Sequence, residues 1–293
     1  MLRRKRDWLF AFLLILPAII ILGKIFIYPI YQTIIWSFYH YNLMDGTNVK
    51  FIGLKNYKDI FHTSDFWLAF RRTWVFTLVS VIFELGLGFF CALLLNQKFK
   101  GQMVFRAFII IPWALLTLVN GLLWDWIYQP GYGAFSVILH KLHLLGPHQN
   151  PVWLATSDNV ILFAVIADVW KMTPFMTLML LAGFQSIPDT LYEAAMLDGA
   201  GFWKKIRYVT IPQLMPTILI AAVLRTVGAF KVYDVLTVFT GDATTSISYL
   251  TFNYGFRYFY LGKASSMALI QTCFVLVLAV VYIILLKRNT ENQ

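Results

Sequence analysis

Several ionisable side chains lie inside long apolar stretches of the sequence, where each one needs a partner or a purpose. They are Lys24, Glu84, Asp168, Lys171, Arg225, Lys231 and Asp234. A charged group near the centre of a bilayer costs about 2.5–3.5 kcal/mol on insertion scales, so such groups pair with one another or mark a route for a polar substrate. Asp168 and Lys171 lie three residues apart, as do Lys231 and Asp234, so each pair can neutralise itself along one helix. Arg225 has no acid at this spacing, and we expect it either to pair with an acid such as Asp168 or to bind substrate.

The sequence carries no motif for nucleotide hydrolysis or for other enzyme chemistry. Its nearest approach to a phosphate-binding G-x-x-x-x-G-K-[ST] loop is Gly262-Lys263-Ala264, which lacks the first glycine and the hydroxyl residue that would hold magnesium. It contains no H-E-x-x-H or G-x-S-x-G pattern. His140 and His143 have the spacing of two metal ligands, but no carboxylate or thiol lies near them to complete a site. We therefore predict no catalytic residue, no metal site and no cofactor in this chain, and we do not expect an enzyme.

Composition places these residues in a membrane protein. Hydrophobic residues make up 59% of the 293 residues and charged residues 13%, with a mean hydropathy of +0.69, whereas soluble chains carry roughly 25% charged residues. The net charge of +10 therefore does not indicate a nucleic-acid-binding protein. Apolar runs long enough to cross a bilayer as helices are predicted at about 9–37, 73–96, 107–128, 158–184, 214–240 and 264–286. The prediction is an all-α, six-helix polytopic bundle surrounded by membrane lipid, forming one transmembrane domain over 1–293.

Positive charges predict the orientation of these spans. With the N-terminus inside, the interior segments carry 12 Lys and Arg residues in 54 positions, and the exterior segments carry 8 in 87. Cytoplasmic loops of membrane proteins are enriched in these residues. Both termini and the segment 185–213 are therefore predicted to lie in the cytoplasm. Arg71 and Arg72, at the outer end of the second span, are a local exception.

The segment 185–213 is the longest predicted interior loop, and its sequence predicts a helix, a turn and a second helix. Gly199 suits the left-handed residue that follows a helix C-terminus. Pro212 is expected to close the second short helix before the fifth span begins. The first helix presents small alanine side chains flanked by Glu193 and Asp198. Such a surface can enter a groove on another protein.

A long motif with specific spacing lies in this loop. Glu193-Ala194-Ala195 is followed after three residues by Gly199, and after nine more by Val209-Thr210-Ile211-Pro212. The motif resembles the EAA signature of membrane subunits of binding-protein-dependent ABC importers. Softer matches make the chain similar to the maltose, glycerol-phosphate and multiple-sugar permeases of the carbohydrate branch; they are residues 51–57, 92–96, 198–200 and 228–234. The resemblance implies the type I importer fold, with 185–213 as the coupling loop, in the cytoplasmic membrane of a bacterium or archaeon.

The same resemblance implies a set of partners. In that family the loop contains a coupling helix that docks on a separate ATPase. The residues expected to make this contact are Glu193, Ala194, Ala195, Asp198 and Gly199. The implied partners are a second homologous permease subunit, two copies of the ATPase, which use ATP and Mg, and an extracytoplasmic solute-binding protein. The implied substrate is a sugar or oligosaccharide.

A substrate path is expected between the fourth and fifth spans. On each span, residues recur at i, i+4 and i+7 and therefore share one helical face. The set is Asp168, Met172, Phe175, Arg225, Gly228, Ala229 and Val232, and the resemblance implies the same positions, because they line the sugar site of the maltose-permease relative. Two alternatives stay open. Arg225 and Lys231 would suit an anionic cargo such as glycerol phosphate, and Asp168 or Glu84 could couple a secondary transporter to protons.

Overall fold

The computed structural model describes residues 2–46, 48–97, 99–146, 149–239 and 246–291, and for 2–11 and 289–291 it describes the backbone alone. Contacts between Cα atoms group the chain into two compact units, Met1–Ser64 with Thr251–Thr272 and Asp65–Leu250 with Cys273–Gln293. A single domain over 1–293 stays a prediction.

The first unit begins with a long apolar helix. Helix α1 (Leu2–Leu22) continues through a π-helical turn (Gly23–Ile27) into α2 (Tyr28–Ser37), which agrees with the span predicted at about 9–37. Residues Phe12–Ser37 are apolar enough to cross a membrane, and the most apolar part of this stretch is not buried within the protein. Its side chains therefore face outward, as they do on a helix surrounded by lipid.

A small hairpin and a short helix follow in the same unit. Strand β1 (Tyr39–His40) pairs antiparallel with β2 (Lys50–Phe51), and α3 (Lys55–His62) comes next. Asn56 is buried at the start of α3 and donates its Nδ2 to the carbonyl oxygen of Ser37 at 2.9 Å. These are the only strands in the described part of the chain, and the all-α transmembrane class is confirmed.

The remaining helices, in chain order, are α4 (Ser64–Leu95), α5 (Gln102–Ala114), α6 (Thr117–Ile127), α7 (Ala134–Lys141), α8 (Ser157–Gln185), α9 (Asp189–Leu197), α10 (Phe202–Lys205), α11 (Ile211–Phe230), α12 (Asp234–Phe239), α13 (Ile247–Phe252) and α14 (Leu261–Glu291). Five helical stretches in the described residues are long and apolar enough to span a membrane, or six if the bent pair α5 and α6 is one span.

Helix α8 lies at the centre of the second unit, with α4 and α11 packed directly against it. Glycines make this close packing possible. A Cβ on Gly88 of α4 would lie 2.6 Å from Cβ of Met176, and one on Gly183 would lie 2.7 Å from Cδ2 of Leu214 on α11. Small residues let transmembrane helices approach closely. These three helices carry Glu84, Asp168 and Arg225, three of the ionisable residues of the candidate site.

The third predicted span, at 107–128, is wrong as a continuous helix. Helices α5 and α6 meet at a bend of 94°, because the backbone at Leu115 and Leu116 is extended. Pro112 lies one turn before the bend and supplies no backbone N–H for a continuous helix. The bend places the N-terminus of α6, beginning at Thr117, inside the bundle.

The boundaries of the second and fifth spans also differ from the prediction. Helix α4 begins at Ser64 rather than about residue 73 and therefore contains both arginines of the predicted exterior end. Arg72 Nε lies 3.0 Å from Asp158 Oδ1, and an Arg71 guanidinium nitrogen lies 3.7 Å from the same oxygen. Helix α11 ends at Phe230 rather than about residue 240, and the chain turns through residues 231–233 before α12.

The interior loop folds as predicted in its first half and differently in its second. Helix α9 ends at Leu197, and Gly199 adopts the left-handed conformation with φ = +72°. Pro212 does not close a separate helix, because α10 continues through a π-helical turn (Ile206–Thr210) into α11. The π-helical turn ends two residues before Pro212, which supplies no backbone N–H for a regular helical hydrogen bond.

Candidate functional site

A buried cluster of three ionisable residues joins α4, α8 and α11. The Nε of Arg225 donates to Oε2 of Glu84 at 2.5 Å, and one terminal nitrogen of Arg225 donates to Oε1 of Glu84 at 2.8 Å. The same terminal nitrogen also contacts Oδ2 of Asp168. Glu84 is fully buried and Arg225 is 5% exposed. Of the two possibilities for Arg225, the structure therefore contains the ion pair.

The predicted local pairs along one helix are wrong. Asp168 faces Arg225 across the helix interface, and its neighbour Lys171 donates Nζ to Oγ1 of Thr117 at 3.0 Å. Lys231 and Asp234 form no ion pair with each other among the described residues. The helical spacing rule does not apply to them, because α11 ends before Lys231 and α12 begins at Asp234.

A cavity of about 240 Å³ adjoins this cluster. Its walls come from α4, α6, α8, α11, the turn after α11, and α12. The lining residues are Phe76, Thr117, Asp168, Lys171, Met172, Arg225, Gly228, Ala229, Lys231, Val232, Tyr233, Asp234 and Val235. The cavity is smaller than the roughly 300–1,000 Å³ of typical small-molecule sites, so it can hold a small solute or one part of a larger one.

Six of the seven residues proposed for the substrate path line this cavity. They are Asp168, Met172, Arg225, Gly228, Ala229 and Val232. Phe175 lies outside the lining, and its ring centre is 6.2 Å from that of Trp113. The cavity extends from Asp168 toward the turn after α11, whereas Phe175 lies farther along α8 in the opposite direction.

Five of the polar lining residues are not among those predicted for the substrate path: Thr117, Lys171, Lys231, Tyr233 and Asp234. In the sequence, Lys171 and Asp234 are notable only as charged residues within apolar stretches, which need partners. Thr117 enters the lining because of the bend between α5 and α6, and Tyr233 because α11 ends early. Neither event has a strong local signal. Together these residues supply hydroxyl, ammonium and carboxylate groups that can hydrogen-bond a polyhydroxylated molecule.

Helix α9 presents the residues of the predicted ATPase contact on an exposed surface. Glu193, Ala194, Asp198 and Gly199 are exposed and Ala195 is half-buried. The helix ends in a Schellman motif, in which the N–H of residue 200 donates to the carbonyl of Ala195 at 2.9 Å and the N–H of Gly199 to that of residue 196 at 3.0 Å. The motif fixes the direction in which the chain leaves this surface.

Helix α9 is attached to both helices that carry the cavity. Only three residues separate the end of α8 at Gln185 from the start of α9 at Asp189. On the other side, the hydroxyl groups of Tyr192 and Thr210 lie 3.1 Å apart and share a hydrogen bond. Thr210 directly precedes α11, which then runs without interruption past Arg225. A displacement of α9 can therefore reach both walls of the cavity.

Comparison with known protein families and sequences gives consistent matches. Residues 84–290 match the family described as "Binding-protein-dependent transport system inner membrane component". The chain is 39% identical over 285 residues to a trehalose/maltose transport system permease protein, MalF, of Thermococcus litoralis, covering 96% of this chain and 94% of that protein. It is 33% identical over 275 residues to the trehalose transport system permease protein SugA of Mycobacterium tuberculosis, covering 93% and 87%.

Solved structures show the same fold. A bacterial ABC transporter involved in the import of the acidic polysaccharide alginate contains a chain that superposes with a TM-score of 0.81 at 22% identity, covering 97% of this chain and 96% of that one. A chain of the MetNI methionine ABC transporter superposes with a TM-score of 0.56 at 17% identity, covering 76% of this chain. The chain therefore has the fold of a type I importer permease.

Proposed function

The chain belongs to the family of binding-protein-dependent transport system inner membrane components, and from this membership we propose that it is the membrane-spanning subunit of an ATP-driven importer of sugars or oligosaccharides. The observation that carries the proposal is the polar cavity between α8 and α11, whose two walls are both attached to the exposed helix α9. Family membership leaves a proton-coupled secondary transporter without support. The named trehalose and trehalose/maltose relatives support a sugar as cargo.

The cavity can hold part of a sugar by familiar contacts. Asp168 uses one oxygen for Arg225 and retains a second oxygen that can accept a hydrogen bond from a sugar hydroxyl. Lys171 and Thr117 add donors, and the ring of Tyr233 adds aromatic surface for the C–H face of a sugar ring. Because the cavity is small, we propose that a second homologous permease subunit completes the substrate path.

We propose that α9 is the coupling helix. Its exposed residues Glu193, Ala194 and Asp198 dock on an ATPase, while Ala195 and Gly199 set the shape of the docking surface. Two copies of this separate ATPase bind and hydrolyse ATP with Mg, and the present chain contributes no nucleotide site. Their closure displaces α9, which moves α8 through the short connection and α11 through the Tyr192–Thr210 hydrogen bond.

The same proposal sets the position of the chain in the cell. Both termini and α9 lie in the cytoplasm, because Lys and Arg are concentrated in the segments on that side. The membrane is the cytoplasmic membrane of a bacterium or archaeon. An extracytoplasmic binding protein delivers substrate to the opposite face, as in the alginate importer that was solved in complex with an alginate-bound periplasmic protein.

Uptake of a labelled uncharged disaccharide into cells or vesicles with the complete transporter tests this function. ATP depletion should stop uptake, and collapse of the proton gradient at constant ATP should not. Ala194→Asp places a charge on the exposed docking surface and should abolish uptake without affecting membrane insertion. Ala155→Asp is the matched control, because Ala155 is also exposed but lies in the loop before α8. Normal uptake by the Ala194→Asp protein would contradict the proposed coupling.

A further inference from the structure

Six ionisable residues surround the cavity, and their formal charges cancel. The three cationic residues are Lys171, Arg225 and Lys231, and the three anionic residues are Glu84, Asp168 and Asp234. Five of these residues line the cavity, whereas Glu84 does not and contacts Arg225 from α4. The five lining residues alone would leave one net positive charge. The net charge around the cavity is therefore zero only because of Glu84, a residue that does not line the cavity.

The geometry of the contact assigns a negative charge to Glu84. Two nitrogen atoms of Arg225 donate to the two carboxylate oxygens of Glu84, at 2.5 and 2.8 Å. This bidentate arrangement is that of an ionised carboxylate with a guanidinium group. Glu84 is fully buried and Arg225 is 5% exposed, so water screens the two charges little.

The remaining charges of the site are distributed differently. Lys171 is 8% exposed and donates to a neutral hydroxyl, that of Thr117, rather than to a carboxylate. Lys231 and Asp234 are exposed at the turn between α11 and α12, on the rim of the cavity. A change of charge on the rim therefore alters the field in the cavity without disturbing the packed core.

We propose that Glu84 is a specificity-determining residue. Its negative charge balances the positive charge of Arg225 from outside the cavity lining, and this balance makes the cavity selective for uncharged sugars over anionic ones. The inference rests on the proposed function and adds the charge class of the substrate. An anionic sugar would lose hydration on entering the cavity, where no net opposite charge would balance it. This loss is unfavourable in a medium of low dielectric constant. An uncharged sugar needs only hydrogen-bonding groups, which the lining supplies. Glycerol phosphate is thereby disfavoured as cargo.

The test measures equilibrium binding of two labelled disaccharides to the complete purified transporter without its binding protein, so that the specificity of that protein does not contribute. One sugar is uncharged, such as trehalose, and the other carries a uronic acid carboxylate. In Glu84→Gln, the ratio of the two dissociation constants should shift about tenfold toward the anionic sugar, equivalent to about 1.4 kcal/mol. Asp158→Asn, the same chemical change at an exposed residue near the start of α8, should leave the ratio unchanged.

Two rim variants keep the proposal testable even if Glu84→Gln does not assemble. Asp234→Asn removes a negative charge and should shift the ratio in the same direction as Glu84→Gln. Lys231→Gln removes a positive charge and should shift it in the opposite direction. An unchanged ratio in all three variants, or a shift of the same sign in both rim variants, would overturn the proposal.

Binding measurements on the wild-type protein and the variants distinguish failure of this inference from failure of the proposed function. Binding of the uncharged sugar with a ratio that does not respond to the variants refutes the role of Glu84 alone and leaves the sugar importer standing. Stronger wild-type binding of the anionic sugar also refutes the inference alone. Binding of neither sugar would refute the proposed function, and with it the inference that rests on it.

Discussion

Replacement of Gly199 by alanine probes the coupling helix through backbone conformation alone. Gly199 has φ = +72°, and a Cβ added there would meet no atom within 4 Å. The only cost of the substitution is the left-handed conformation, about 1–2 kcal/mol for a residue with a Cβ. This energy corresponds to a factor of about 5–30 in the equilibrium between the observed end of α9 and other conformations.

Gly201 provides the matched control for this substitution. It lies two residues later, a Cβ there would also meet no atom within 4 Å, and its φ of −69° suits any residue. We expect Gly199→Ala to lower the rate of ATP-driven uptake at unchanged membrane insertion, and Gly201→Ala to preserve it. Both variants should be measured in proteoliposomes with the complete transporter, with ATP hydrolysis recorded in parallel. Equal uptake by the two variants would refute the argument that the left-handed turn sets the coupling surface.

Two other substitutions test the connection from α9 to the cavity and the packing of the bundle. Tyr192→Phe removes the hydrogen bond to Thr210, worth about 1 kcal/mol, and should lower the amount of sugar imported per ATP hydrolysed; an unchanged ratio would rule out this route. Gly88→Ala forces a Cβ to 2.6 Å from Met176 and should destabilise the protein by about 1–3 kcal/mol, measured as thermal unfolding in detergent. Gly86→Ala, whose Cβ would meet no atom within 4 Å, should have little effect, and equal stability of both variants would contradict the packing described.

The features that sequence predicts well are those with a local physical cause. A long apolar run must become a helix in lipid, which accounts for the agreement at α8 and α14. The left-handed conformation of Gly199 is predictable because a glycine directly after a helix is the usual residue for that conformation. The two helical faces of the substrate path follow from the 3.6-residue period, and six of their seven residues line one cavity.

The features that sequence did not predict depend on contacts between distant residues. Glu84 and Arg225 are 141 residues apart, and no local pattern marks them as partners. The i, i+3 rule pairs Asp168 with Lys171, whereas the structure contains the Asp168–Arg225 contact, which the sequence gives only as one of two possibilities for Arg225. The bend between α5 and α6 is hidden in the sequence because apolar residues continue through it. The break after Phe230 coincides with Lys231 and Asp234, but their three-residue spacing also suits a continuous helix, so these charges do not mark it.

The most direct test of the central claim is purification of this chain from its native membrane in mild detergent, followed by identification of every bound protein by mass spectrometry. We expect an ATPase and a second, different permease with its own EAA loop. A crosslink from cysteine introduced at Ala194 should join α9 to the ATPase, and one introduced at Ala155 should not. Recovery of the chain alone, or only with copies of itself, would contradict the account of a heteromeric importer driven through α9.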